Sequence, residues 1–192
     1  MPAVKRSREA SVYQLKITLL DSKPPIWRRV LVTSDTTLYK LHGIIQETMG
    51  WTNSHLHQFI LNEEYYSQPE FELAEEGFEV KNEKSAKLGR LNLIEGTRFI
   101  YEYDFGDSWH HEIVVEKRLQ PDAKMTYPVC IAGKRACPPE DCGGVWGYEN
   151  FLDAIRRKSH PEHEETLTWI GGAFDAEAFD LNRVNQALRR FR

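Results

Sequence analysis

Tyr101-Glu102-Tyr103-Asp104-Phe105-Gly106-Asp107-Ser108-Trp109-His110-His111 sets Asp104, Asp107, His110 and His111 around a single glycine. Before it, Arg98, Ile100 and Glu102 alternate with Phe99, Tyr101 and Tyr103. After it, Ile113 and Val115 alternate with Glu112, Val114 and Glu116. A period of two on both sides is the mark of strands whose successive side chains face opposite ways, so the stretch reads as the turn of a β-hairpin. Acidic and imidazole groups are thereby expected at one end of a sheet.

Upstream, Tyr13, Leu15, Ile17 and Leu19 alternate with Gln14, Lys16 and Thr18, giving a first strand. Asp21-Ser22-Lys23-Pro24-Pro25 supplies turn residues, and Ile26 to Val32 reads as its antiparallel partner. Ser34-Asp35-Thr36-Thr37 offers N-cap side chains. Leu38, Leu41, Ile44, Ile45 and Met49 follow at helical spacing until Gly50, so a helix over 36–49 is expected to pack on the hairpin, with His42 at the edge of its apolar stripe. His55 to Leu61 reads as a third strand, which would point His55 and His57 to the same sheet face. Residues 62–86 are acidic and weakly patterned, and read as a solvated excursion with a short strand near Phe78 to Val80. Lys87 to Ile94 reads as a helical turn.

Downstream, Pro121, Pro128, Gly133, Pro138, Pro139, Gly143 and Gly144 read as a long irregular connection. From Gly147 the spacing turns helical, with Tyr148, Phe151, Leu152 and Ile155 on one face. A second helix is expected from Ser159-His160-Pro161 through Trp169, and a last one after the capping residue Asp180. The strand and helix order implies an α+β fold: a roll-like, β-grasp-like mixed sheet with one packed helix, followed by a C-terminal helical segment. Residues 1–10, with Lys5, Arg6 and Arg8, are expected to be a mobile basic tail. Residues 11–192 are expected to be a single domain, divided into a sheet and helix core (11–118), a Cys/Pro/Gly-rich loop (119–146) and a helical segment (147–192).

With 192 residues, 41% hydrophobic and 28% charged, the chain fits one folded unit and excludes wholesale disorder. A formal net charge of -4 argues against a global basic field for nucleic acid. The pairs Arg28-Arg29, Arg156-Arg157-Lys158 and Arg189-Arg190 are dispersed and read as solvated faces, of interest for nucleic acid only if folding gathers them beside exposed Trp or Tyr. No apolar run approaches the roughly 18 residues that span a bilayer, and the N-terminus lacks an apolar signal region, so a cytoplasmic protein with no membrane association is expected. Cys130, Cys137 and Cys142 form an odd set, which favours reduced thiols or metal ligands over a disulfide framework.

Three readings of the polar residues compete. In the first, a divalent metal is held by a selection from His55, His57, Asp104, Asp107, His110, His111 and Glu140 or Asp141. Imidazole plus carboxylate suits Zn2+, Mn2+ or Fe2+. In the second, Cys130, Cys137, Cys142 and a histidine hold a structural zinc, although the six and four residues between the thiols are wider spacings than a zinc knuckle commonly has. In the third, Asp104 and Asp107 cap the turn and the histidines hydrogen-bond to carboxylates. Cys137 or Cys142 activated by His110 or His111 is a further, nucleophilic arrangement. Gly143-Gly144-Val145-Trp146-Gly147 lacks the features of a phosphate loop.

Several motifs together resemble the plasmid pRiA4b open-reading-frame-three-like family from about Val12 to Leu188. They are Tyr13-Gln14-Leu15-Lys16-Ile17, Pro25-Ile26-Trp27-Arg28-Arg29, Leu41-His42, Met49-Gly50-Trp51, His55-Leu56-His57 with Phe59, Tyr101 through Asp107, Trp109 with His111, Cys137-Pro138-Pro139-Glu140-Asp141-Cys142-Gly143-Gly144, Gly147-Tyr148 and Phe179-Asp180-Leu181. The resemblance implies a single α+β domain with a roll-like core. It implies no transferable mechanism, and its plasmid and mobile-element setting implies an accessory role with a protein or nucleic-acid partner. The leading expectation is a cytoplasmic accessory domain whose polar cluster binds a divalent metal such as zinc, or a partner. The runner-up is a metal-dependent hydrolase with His55, His57, Asp104, Asp107 and His111 as ligands and Glu140 or Asp141 as general base. The third is a nucleic-acid accessory acting through Arg156, Arg157 and Lys158.

Overall fold

The computed structural model describes residues 11–71, 73 and 79–192. An eight-stranded sheet organises them, in the order β5-β4-β3-β6-β7-β1-β2-β8. β1 (Val12–Leu19) and β2 (Ile26–Thr33) form the expected first hairpin, and β6 (Arg98–Tyr103) and β7 (Trp109–Leu119) the second. β1 also pairs antiparallel with β7, which joins the two hairpins at the centre. β3 (His57–Leu61) adds to β6, and β4 (Glu64–Ser67) adds to β3. The one parallel pairing among the described residues joins β4 to β5 (Val80–Asn82), which makes the sheet mixed. The β-grasp-like label is not carried over: β1 has antiparallel neighbours on both sides.

The alternation read from the sequence becomes burial. Leu15, Ile17, Phe59, Tyr101, Tyr103, Ile113 and Val115 are fully enclosed, and α1 (Leu38–Met49) lays Leu38, Leu41, Ile44 and Ile45 on the same core. Thr37 caps α1 by accepting from the Lys40 amide, and Gly50 ends it at φ 106, where a residue with a Cβ would be strained. The helical segment consists of α2 (Gly144–Arg156), α3 (His163–Ile170) and α4 (Leu181–Ala187). Asp180 caps α4 by accepting from the amides of Asn182 and Arg183.

Four readings need correction. The third strand starts at His57 rather than His55. The stretch read as an excursion contributes β4, and its short strand is Val80–Asn82; Phe78, Glu72, Glu75 and Glu76 lie outside the described residues, as does the 1–10 segment. The stretch 119–146, read as irregular, contains β8 (Val129–Lys134) on the edge beside β2. Gly133 hides that strand from a propensity reading, yet it is a packing residue: a Cβ there would lie 2.4 Å from the Phe179 ring. Finally, the second C-terminal helix begins three residues beyond His160, at His163.

Candidate functional site

The β6–β7 turn spans five residues between the paired Tyr103 and Trp109. Asp104 enters it at φ 58, and its Oδ1 accepts from the amides of Gly106 at 3.0 Å and Asp107 at 3.3 Å. Asp and Asn tolerate this left-handed conformation better than most residues because a short polar side chain can bond to the nearby backbone. One carboxylate oxygen thus caps the turn, as the third reading expects, while Oδ2 faces His55 Nδ1 at 3.6 Å. His55 stands in the loop between α1 and β3, and that loop is pinned to the turn by the Asp104 amide donating to the Leu56 carbonyl at 2.8 Å.

The Cys137 to Gly144 segment closes over this pair. Asp107 Oδ2 accepts from the Gly143 amide at 3.1 Å. Gly144 packs so tightly that a Cβ would lie 2.6 Å from the Asp107 carbonyl oxygen. Glu140 accepts from the Thr52 amide, the Thr52 hydroxyl and the Tyr103 hydroxyl. Burial raises the Glu140 carboxyl, but these hydrogen bonds outweigh it and hold the group below its ordinary value, as a carboxylate. With Glu140 fixed this way, Asp141 at φ 59 brings its Oδ1 to 3.2 Å from His55 Nε2. That contact lacks hydrogen-bond geometry, and Nε2 has no hydrogen-bond partner among the described residues.

His55, Asp104 and Asp141 each offer one ligand atom within 4.8 Å of the others, the one such group of three or more His, Cys, Asp or Glu among the described residues. The imidazole is partly exposed, at 26%, Asp104 is nearly enclosed and Asp141 is open to solvent. The cluster borders a cleft of about 510 Å3 lined by Asn53, Ser54, Gln68, Phe71, Phe105 and Gly106 together with His55 and Asp104. Mixed nitrogen and oxygen donors beside an open cleft can hold a borderline divalent cation and leave room for a further ligand on it.

The other sequence candidates lie elsewhere. His57, two residues from His55, is wholly buried in β3 and points into the core. Its ring stacks on that of His42, with centroids 3.4 Å apart and planes 3° from parallel, and its Nε2 lies 3.0 Å from Glu83 Oε2. His42 Nε2 donates to Asn53 Oδ1 at 2.7 Å, leaving its Nδ1 to accept from the Tyr101 hydroxyl at 2.8 Å. Burial pushes His57 down to about 3, burial and the neighbouring His57 push His42 down to about 3, and burial pushes Glu83 up to about 7. The two imidazoles are therefore held neutral, and Glu83 is drawn towards its neutral form. His111 is also enclosed and held down at about 3, chiefly by burial, with Nδ1 donating to the Trp109 carbonyl. His110 faces the other way, beside Glu102 at 3.5 Å. Asp107 serves Gly143 instead of the cluster.

The thiols are unpaired, and no group of metal-ligand geometry among the described residues includes one of them. Burial raises the Cys137 and Cys142 thiols, Cys142 to about 12, which keeps them protonated and weak as nucleophiles. Of the basic pairs, Arg28 is buried, Arg29 pairs with Glu116, Arg157 with Asp153 and Arg190 with Glu47. The sequence reading missed His42 and Glu83 as core polar groups. The signals were faint: His42 adjoins Leu41 in the apolar stripe, and Glu83 stands alone before Lys84-Ser85-Ala86.

Residues 11–183 match the family described as Plasmid pRiA4b ORF-3-like protein. The uncharacterized protein y4hQ of Sinorhizobium fredii (strain NBRC 101917 / NGR234) is 36% identical over 183 residues, covering 93% of this chain and 91% of the relative. The crystal structure of a protein of unknown function, MM3350, from Methanosarcina mazei Go1 is similar with a TM-score of 0.83 at 38% identity, covering 91% of this chain and 97% of that one. No helix among the described residues is long and apolar enough to cross a membrane.

Proposed function

The chain belongs to the plasmid pRiA4b ORF-3-like family, and from that premise we propose that it is an accessory binding domain that takes up one divalent cation on His55, Asp104 and Asp141 at the mouth of the cleft they border. The observation that carries this reading is the convergence of those three side chains from three separate segments, with His55 Nε2 lacking a hydrogen bond. A cation there would take up a ring nitrogen of His55 and screen two carboxylates that otherwise face one imidazole. The open cleft beside it would admit a polar partner group to complete the coordination. Binding is favoured over hydrolysis because Glu140, one of the two candidate bases, already accepts from Thr52 and Tyr103, and Asp141 is assigned to the cation.

Equilibrium dialysis against Mn2+ or Zn2+, followed by elemental analysis of protein purified without chelator or affinity tag, tests the reading. One equivalent is expected in the native chain and in a Cys137→Ser, Cys142→Ser variant, with loss in His55→Ala and in Asp104→Asn. Loss in the cysteine variant alone would transfer the metal to the thiols, and no metal in any sample would remove it altogether.

A further inference from the structure

A second cleft, of about 460 Å3, opens between the C-terminal turn of α1, the end of β8 and the start of α4. Arg28 lines it, although its side chain is almost wholly enclosed, at 2% exposure. Arg28 Nε donates to the Thr48 carbonyl at 2.5 Å, and Nη1 donates to the carbonyls of Trp27 and Lys134, each at 2.9 Å. The guanidinium lies over the Phe179 ring, 4.5 Å from its centroid, a position opened by the missing side chain of Gly133. Nη2 has no hydrogen-bond partner among the described residues, and no carboxylate there pairs with this cation. A buried arginine is ordinarily matched by an anion, because enclosure removes the water that would otherwise solvate its charge.

The remaining charges around the cleft are mostly committed. Glu47 is paired with Arg190, and Asp180 accepts from the amides that begin α4. Arg183 lines the same cleft, is exposed, and has no ion pair among the described residues. Arg28 and Arg183 in the lining, together with the Arg190 that pairs with Glu47 from outside it, set three guanidiniums against the carboxylates of Glu47 and Asp180, which leaves one net positive charge. Trp51, Met49, Phe179 and Val184 supply an apolar wall.

We propose that this cleft binds a small organic monocarboxylate, its carboxylate between Arg28 Nη2 and Arg183 and its apolar body against Trp51 and Phe179. A monoanion matches the net charge, whereas a phosphate dianion would face Glu47, Asp180 and the carbonyl end of α1 with charge left over. The site is separate from the cation cluster and does not depend on it.

Benzoate is a suitable probe, followed through the Trp51 indole and Arg183 resonances, with benzamide and inorganic phosphate as comparison ligands. Benzoate is expected to shift both signals saturably with a dissociation constant of about 1 mM or tighter. Benzamide and phosphate should bind at least about tenfold more weakly. Arg183→Gln removes a surface charge that the fold does not use, and should weaken benzoate by about tenfold. Ala187→Leu should weaken it by filling the cleft without changing charge. The proposal is overturned if benzamide or phosphate binds as well as benzoate, if Arg183→Gln leaves benzoate binding unchanged, or if no saturable shift occurs.

Discussion

His55 and His57 are two residues apart and meet opposite fates. His55 lies in a loop between two carboxylates at a cleft, while His57 is sealed in the core against a second imidazole and a carboxyl group driven towards neutrality. What separates them is backbone: the strand begins at His57, so only His57 has its direction set by the pleat. The same residue type therefore packs in the core in one place and leaves a ring nitrogen without a hydrogen bond in the other.

The largest effect is expected from His57→Ala, which removes a fully packed ring and strands Glu83. It should cost about 3 kcal/mol or more in denaturant unfolding. His55→Ala should change stability by no more than about 0.5 kcal/mol, and equal costs for the two variants would erase the contrast.

Glu83→Gln sharpens the comparison through pH. Between its unfolded value of 4.5 and its folded value of about 7, Glu83 binds more proton in the native state, so it stabilises the fold as pH falls through that window. His42, His57 and His111 act the other way: the unfolded chain protonates them near 6.5 and the native one only at about 3, so their contribution is lost as pH falls between those values. Glu83→Gln should therefore lose more stability than the native chain from pH 7 to 4.5, by about 2 kcal/mol, read from urea midpoints across that range. Parallel profiles would mean that Glu83 is not held near neutrality.

Smaller changes probe how the cleft is held. Gly144→Ala meets the Asp107 carbonyl oxygen and takes a side chain to φ 69, which should cost about 2 kcal/mol and loosen the join between α2 and the turn. Tyr103→Phe deletes the hydroxyl that donates to Glu140 at 2.5 Å and accepts from the Ser54 amide at 2.9 Å. It should cost about 1 kcal/mol and weaken cation uptake through Asp141 while leaving the His42–His57 stack intact.

Much of the architecture was legible because period-two alternation in β1, β6 and β7 and the capped stripe of α1 are local signals. β4 and β8 were not, since both owe their pairing to neighbours supplied from elsewhere in the chain. His55 and Asp104 were legible as candidates because the turn chemistry around Asp104 is written in Asp-Phe-Gly-Asp and the imidazole stands out beside a strand. The choice of Asp141 over Glu140 was not, because it depends on Thr52 and Tyr103 capturing Glu140 across the fold. The expectation that His55 and His57 share a face failed over two residues of strand boundary, the least certain part of a sequence reading.

The most direct test is a long-range proton–nitrogen NMR spectrum of the seven histidine imidazoles during a Zn2+ titration. Saturable shifts of His55 at one equivalent, with His42, His57 and His111 unmoved, are the expected result. Movement of the buried rings while His55 stays fixed, or no movement of any ring, would contradict the division between an open ligand site and a sealed core.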